Sequence, residues 1–74
     1  MLVKLRDKRG TLCAKDIFDI DFDMYVAEVE SGDYVIVINQ QYTLDGRYEN
    51  KEDAEKEAYR LIEDRNSLEE ELRQ

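Results

Sequence analysis

"IFDIDFDMYVAEVE", residues 17–30, is the stretch on which the fold turns. Within Ile17 to Asp23, apolar and acidic residues alternate from Phe18 on, with Phe18, Ile20 and Phe22 set against Asp19, Asp21 and Asp23. Period two marks a strand with one buried and one solvated face, so the pattern predicts a strand over 17–23. The parity slips at Met24-Tyr25, beyond which Tyr25, Ala27 and Val29 compete with Val26 for the inner face. A β-bulge or tight bend near Asp23 would reset the register.

Outward from this stretch the chain continues to read as strands. Met1 to Arg6 alternates weakly, and Asp7-Lys8-Arg9-Gly10 predicts a turn into Thr11-Leu12-Cys13-Ala14. Downstream, Ser31-Gly32-Asp33 predicts a hairpin turn into Tyr34–Asn39, the most β-prone run in the sequence. Asp45-Gly46, between Tyr42-Thr43-Leu44 and Arg47-Tyr48, is the dipeptide favoured in type I′ hairpins. The period then changes. Asn50 is a good N-cap with Asp53 three residues on, and Glu52, Asp53 and Glu55 suit the positive end of a helix dipole. The expected fold is α+β: one domain over 1–74, with an antiparallel sheet of four or five strands in 1–49 and one long C-terminal helix in 50–74.

Length sets a problem for that helix. Over 51–73 it would run about 35 Å, whereas strands of five or six residues span about 20 Å. Either the helix breaks at Asn66-Ser67, where Ser67 and Glu70 form a second capping-box pattern, or another copy covers the overhang. Ala54, Ala58, Leu61, Arg65, Leu68 and Leu72 follow heptad spacing, interrupted by the arginine. The expectation drawn is a homodimer with Ala58, Leu61, Arg65, Leu68 and Leu72 at its interface.

Composition excludes several classes of function. The sequence has no histidine, and its three glycines are scattered, so neither a near-neutral acid–base residue nor a phosphate-binding loop is present. The expectation is a protein that is not an enzyme and uses no cofactor or metal. No apolar run exceeds the five residues Tyr34–Ile38, and the start lacks a secretory pattern. With Cys13 as the sole cysteine, the expected location is cytoplasmic, away from membranes.

The charge is the least ordinary feature. Residues 1–15 carry five basic side chains against one acidic, while residues 16–74 carry six against eighteen. Within 16–46 there are eight carboxylates and no lysine or arginine. A single-sign field repels nucleic acid and anionic membranes and attracts basic partners. Three readings of Asp19, Asp21 and Asp23 compete. In the first they only solvate a strand, although aspartate is a poor strand former. In the second, 19–30 is a calcium loop. Its segment resembles the EF-hand, with Asp19, Asp21, Asp23, Tyr25 and Glu30 at ligand positions, but Met24 stands where glycine is needed and the flanks read as strands. The third reading is a decoy: carboxylates at every second strand position repeat at about 6.6 Å, close to the spacing of phosphates along a nucleic-acid strand.

In size, acidity and lack of histidine the chain resembles the DNA-mimic inhibitors encoded by bacteriophages. That resemblance implies a basic nucleic-acid-binding protein as partner, with no direct contact to nucleic acid; on the decoy reading Asp19, Asp21, Asp23, Glu28, Glu30 and Asp33 are the residues that occupy its groove. Separately, "GRYENKEDAEKEA", residues 46–58, is similar to the strand-to-helix junction of phage-integrase arm-binding domains. Those domains bind DNA with a basic sheet; here the sheet region is acidic, so the similarity implies fold alone. The competing expectation is an interaction or scaffold module whose contacts are mainly apolar.

Overall fold

The computed structural model describes residues 1–21 and 23–73. Five strands, β1 (Leu2–Arg6), β2 (Leu12–Asp16), β3 (Met24–Glu28), β4 (Tyr34–Ile38) and β5 (Tyr42–Leu44), precede one helix, α1 (Lys51–Arg73). They form a single antiparallel sheet in the order β2-β1-β5-β4-β3, which makes β2 and β3 its two edges. The α+β expectation holds.

Strand β4 shows why the sheet has one dry face. Its Ile36 and Ile38 are fully buried while Val35 and Val37 are half-exposed, as period two requires. Val3 and Leu5 of β1 point the same way, and α1 lays Ala54 and Leu61 onto them, with Ala58 and Leu68 packed alongside. Burying each large aliphatic side chain contributes about 1.5–3 kcal/mol. The opposite face has no covering layer among the described residues: register places Tyr25, Val37, Thr43, Arg6 and Leu12 in one row across it.

The expected strand over 17–23 is not formed. Ile17–Asp19 is a single 3-10 turn, started by Asp16, whose carboxylate accepts the Phe18 N–H at 3.0 Å. Aspartate competes for nearby backbone donors in this way and so opposes a strand ladder. A three-residue turn buries residues three apart, and here Ile17 and Ile20 are sealed while Phe18 is 38% exposed. Phe22, which the alternation places beside Ile20, lies outside the described residues. The connection carries the chain from the β2 edge of the sheet to the β3 edge. Because Ile17 and Ile20 share a core with Ala54 and Leu61, it crosses on the helix side.

Asp45-Gly46 is likewise no hairpin tip. Thr43 pairs with Val37, Tyr42 with Ile38 and, beyond the dipeptide, Tyr48 with Tyr34. Both sides therefore run along the same strand, and residues between them bulge out, with Gly46 at φ 121°. The tight turn lies earlier, at Asn39-Gln40, where successive φ values of 56° and 60° and a Gln41 N–H to Ile38 carbonyl bond of 3.2 Å make a type I′ turn. The other turns follow the sequence: Gly10 N–H reaches the Asp7 carbonyl at 3.0 Å, and Gly32 N–H the Val29 carbonyl at 2.9 Å.

Helix α1 is capped as expected. Asp53 N–H donates to Asn50 Oδ1 at 2.9 Å, and Asn50 Nδ2 donates back to Asp53 Oδ2 at 3.1 Å. The helix runs unbroken through Asn66-Ser67. With no glycine or proline between 51 and 73, those two residues cost only a few tenths of a kcal/mol each and do not stop it.

Candidate functional site

The carboxylates singled out by sequence do not form an evenly spaced row, since the strand that would align them is a turn and an irregular crossing. Asp19 sits in the 3-10 turn, Asp21 and Asp23 in the crossing, Glu28 at the end of β3 and Glu30 in the β3–β4 turn. All five are exposed, and none makes an ion pair or side-chain hydrogen bond among the described residues. Asp33 differs: it is half-buried and accepts the Ser31 hydroxyl at 3.3 Å, so it holds its own turn.

What gathers instead is an acidic rim around one sheet edge. Asp21 and Asp23 lie just before β3, and Glu28 and Glu30 at and beyond its far end. The basic N-terminal residues are placed elsewhere. Lys4 and Arg6 are on β1, which β5 and β4 separate from β3. Three strand spacings of about 4.8 Å exceed the screening length of about 8–10 Å at ordinary salt, so those cations do not neutralise the β3 rim. Arg6 is further engaged by Asp45, Nε to Oδ1 at 3.0 Å, and by the Gly10 carbonyl at 2.9 Å. Lys15 lies over the Tyr42 ring, 4.9 Å from its centroid.

Beside the β3 edge a groove of about 430 Å3 opens between the strand and the first half of α1. Met24, Val26, Ala58 and Ile62 give it an apolar wall, and Tyr59, 67% exposed, stands over it. Lys51 and Glu55, an i, i+4 pair at 4.0 Å, add a polar margin. The sequence patterns above do not reveal this groove, because its two walls come from a strand and a helix far apart along the chain. A signal for it exists, however: Ala58, Tyr59 and Ile62 extend the apolar surface of α1 beyond the Ala54–Leu61 line.

The backbone of residues 19–30 does not have the shape of an EF-hand loop. Met24–Glu28 is a paired strand, so Asp19 to Glu30 cannot wrap around an ion, and no three potential metal ligands converge among the described residues. The dimer seam is also largely consumed within one chain: Leu61 is core, and Ala58 and Leu68 pack against that core. Arg65 is half-buried. Of the five seam residues, Leu72 stays out, at 76% exposure. The overhang that calls for a second copy is therefore shorter than helix length implies, since Leu68 packs against the chain's own core.

One titratable group among the described residues is shifted. Burial between sheet and helix pushes the Tyr48 phenol above its ordinary range; nearby Glu57 adds to this and Arg60 opposes it. Its ring lines a cleft with Leu44 and Leu61, and its backbone pairs with Tyr34. No helix among the described residues is long and apolar enough to cross a membrane. No protein-family model, curated protein or solved structure matches the chain.

Proposed function

We propose that this chain is a protein-binding module that engages a basic partner through the carboxylates around β3. The observation that supports the reading is the state of Asp19, Asp21, Asp23, Glu28 and Glu30: all exposed, and without ion pairs among the described residues. Exposed charges of one sign that lack ion-pair partners steer opposite-signed surfaces toward them and raise the association rate. In the finer form of the proposal the partner is a nucleic-acid-binding protein, and the chain competes for its groove. An even strand repeat cannot supply that competition, so it rests on the density of negative charge.

The test compares the protein with its Asp19→Asn, Asp21→Asn, Asp23→Asn variant, immobilised at low salt and exposed to cell lysate. Basic proteins are expected on the parent and not on the variant. A step to about 1 M salt, where screening shrinks to about 3 Å, should release them. Free duplex DNA should displace them if the partner binds nucleic acid. Equal retention by the variant, with circular dichroism confirming both are folded, would refute the proposal.

A further inference from the structure

Strand β3 is an edge with a specific set of free backbone groups. Tyr34 exchanges both of its backbone bonds with Tyr48, N–H to carbonyl at 2.8 and 2.9 Å, so it gives none to β3. Glu28, directly opposite Tyr34, is therefore at a non-hydrogen-bonded position, and its own N–H and carbonyl face outward. Alternation assigns the same to Val26 and Met24. Two flanking bonds fix the phase independently: Val29 N–H to Asp33 at 2.8 Å, and Asn39 N–H to the Asp23 carbonyl at 3.0 Å, both at odd positions of this segment. Among the described residues nothing bonds to the outward groups of Met24, Val26 and Glu28.

The same three residues point their side chains toward the helix side, where Met24 and Val26 line the groove against Ala58, Tyr59 and Ile62. An unpaired edge beside a groove with an apolar wall is an arrangement that accepts an added strand, with main-chain bonds giving affinity and alternate side chains entering the groove. The groove volume falls within the range of about 300–1,000 Å3 usual for ligand clefts.

We infer that β3 is a docking edge for an extended peptide segment of the partner, which joins the sheet as a sixth strand. Charge complementarity sets its composition. Asp21 and Asp23 precede β3 and Glu28 and Glu30 close it, so the segment carries lysine or arginine at both ends and apolar residues at alternate positions between them. This rests on the acidic-rim reading and adds to it a backbone geometry that charge alone does not require.

The probe is a synthetic peptide of about nine residues, long enough to span a five-residue strand with both its flanks, in which valine and isoleucine alternate with threonine between paired lysines. It is titrated into the uniformly nitrogen-labelled protein. Saturable binding is expected, with slowed hydrogen exchange at the Met24, Val26 and Glu28 amides. The Tyr25 and Ala27 amides, already bonded to β4, should change little. Methylating the peptide nitrogens that face β3 should weaken binding at least tenfold. An oligolysine of equal charge separates the two proposals. If it binds as well as the alternating peptide and protects none of the three amides, strand addition is refuted while the acidic rim stands. If neither peptide binds at low salt, both fail.

Discussion

Truncating Ile17 and Phe18 one at a time tests which backbone path the chain follows between β2 and β3. In the 3-10 turn Ile17 is sealed and Phe18 is substantially exposed. A strand over the same residues would reverse them, because consecutive side chains point to opposite faces. Cutting a buried isoleucine to alanine costs about 2–5 kcal/mol, and a buried phenylalanine about 3–5. Phe18, being part-exposed, should lose only about 1 kcal/mol. A 74-residue domain is worth about 4–11 kcal/mol in total, so Ile17→Ala removes a large share of it. Ile20→Val, buried under either path, serves as the calibration at about 0.5–1.5 kcal/mol. With a urea slope of about 1 kcal/mol per molar, Ile17→Ala should lower the midpoint by about 2 M or more and Phe18→Ala by about 1 M. The helix signal in far-UV circular dichroism follows the transition, which suits a chain without tryptophan. A larger loss for Phe18→Ala than for Ile17→Ala would refute the turn.

Four other perturbations each address a single feature. Gln40 holds φ 60° without being glycine, a conformation that costs about 1 kcal/mol or more, so Gln40→Gly should raise the urea midpoint despite added freedom in the unfolded chain. Asn50→Ala removes both bonds of the helix cap and should cost about 0.5–2 kcal/mol in the same assay. Leu68→Asp should destabilise the fold, whereas Leu72→Asp should leave stability unchanged, and a drop in sedimentation coefficient on Leu72→Asp alone would place that residue in a dimer seam. For Tyr48 the folded state keeps its proton to higher pH than the unfolded chain, whose phenol ionises near pH 10. Stability is therefore full below about pH 10 and falls as pH rises through the folded value. Ultraviolet titration with Tyr48→Phe as control identifies the group, and Glu57→Gln should move its ionisation downward.

Which parts of the fold are legible in the sequence follows from how local each signal is. Tyr34–Ile38 and the Asn50–Asp53 cap are readable because alternation and capping act over a few neighbouring residues. Residues 17–23 mislead because an alternating segment also contains apolar residues three apart, Ile17 and Ile20, and Asp16 tips the balance by capping Phe18. Asp45-Gly46 misleads because the dipeptide's preference for positive φ is satisfied equally by a bulge, as Gly46 shows. The solvated state of the carboxylates follows from their chemistry, but their arrangement depends on that same irregular backbone. The groove beside β3 joins Met24 and Val26 to a helix far along the chain; Ala58, Tyr59 and Ile62 mark its helix wall locally, but nothing local says which strand faces them.

The strand order has a mechanical consequence. The β1–β2 hairpin is joined to the rest of the sheet by pairing of Leu5 with Leu44 and Arg6 with Thr43, with Asp45 bonded to the Lys4 carbonyl and paired to Arg6 beyond them. That ladder is shorter than the one running from Leu2 to Arg6 on its other side. A pull on the N-terminus loads that short ladder, while the crossing segment tethers the hairpin to the opposite margin. The molecule's seam of least resistance thus runs through the middle of its sheet, and under tension the hairpin should peel away as a unit.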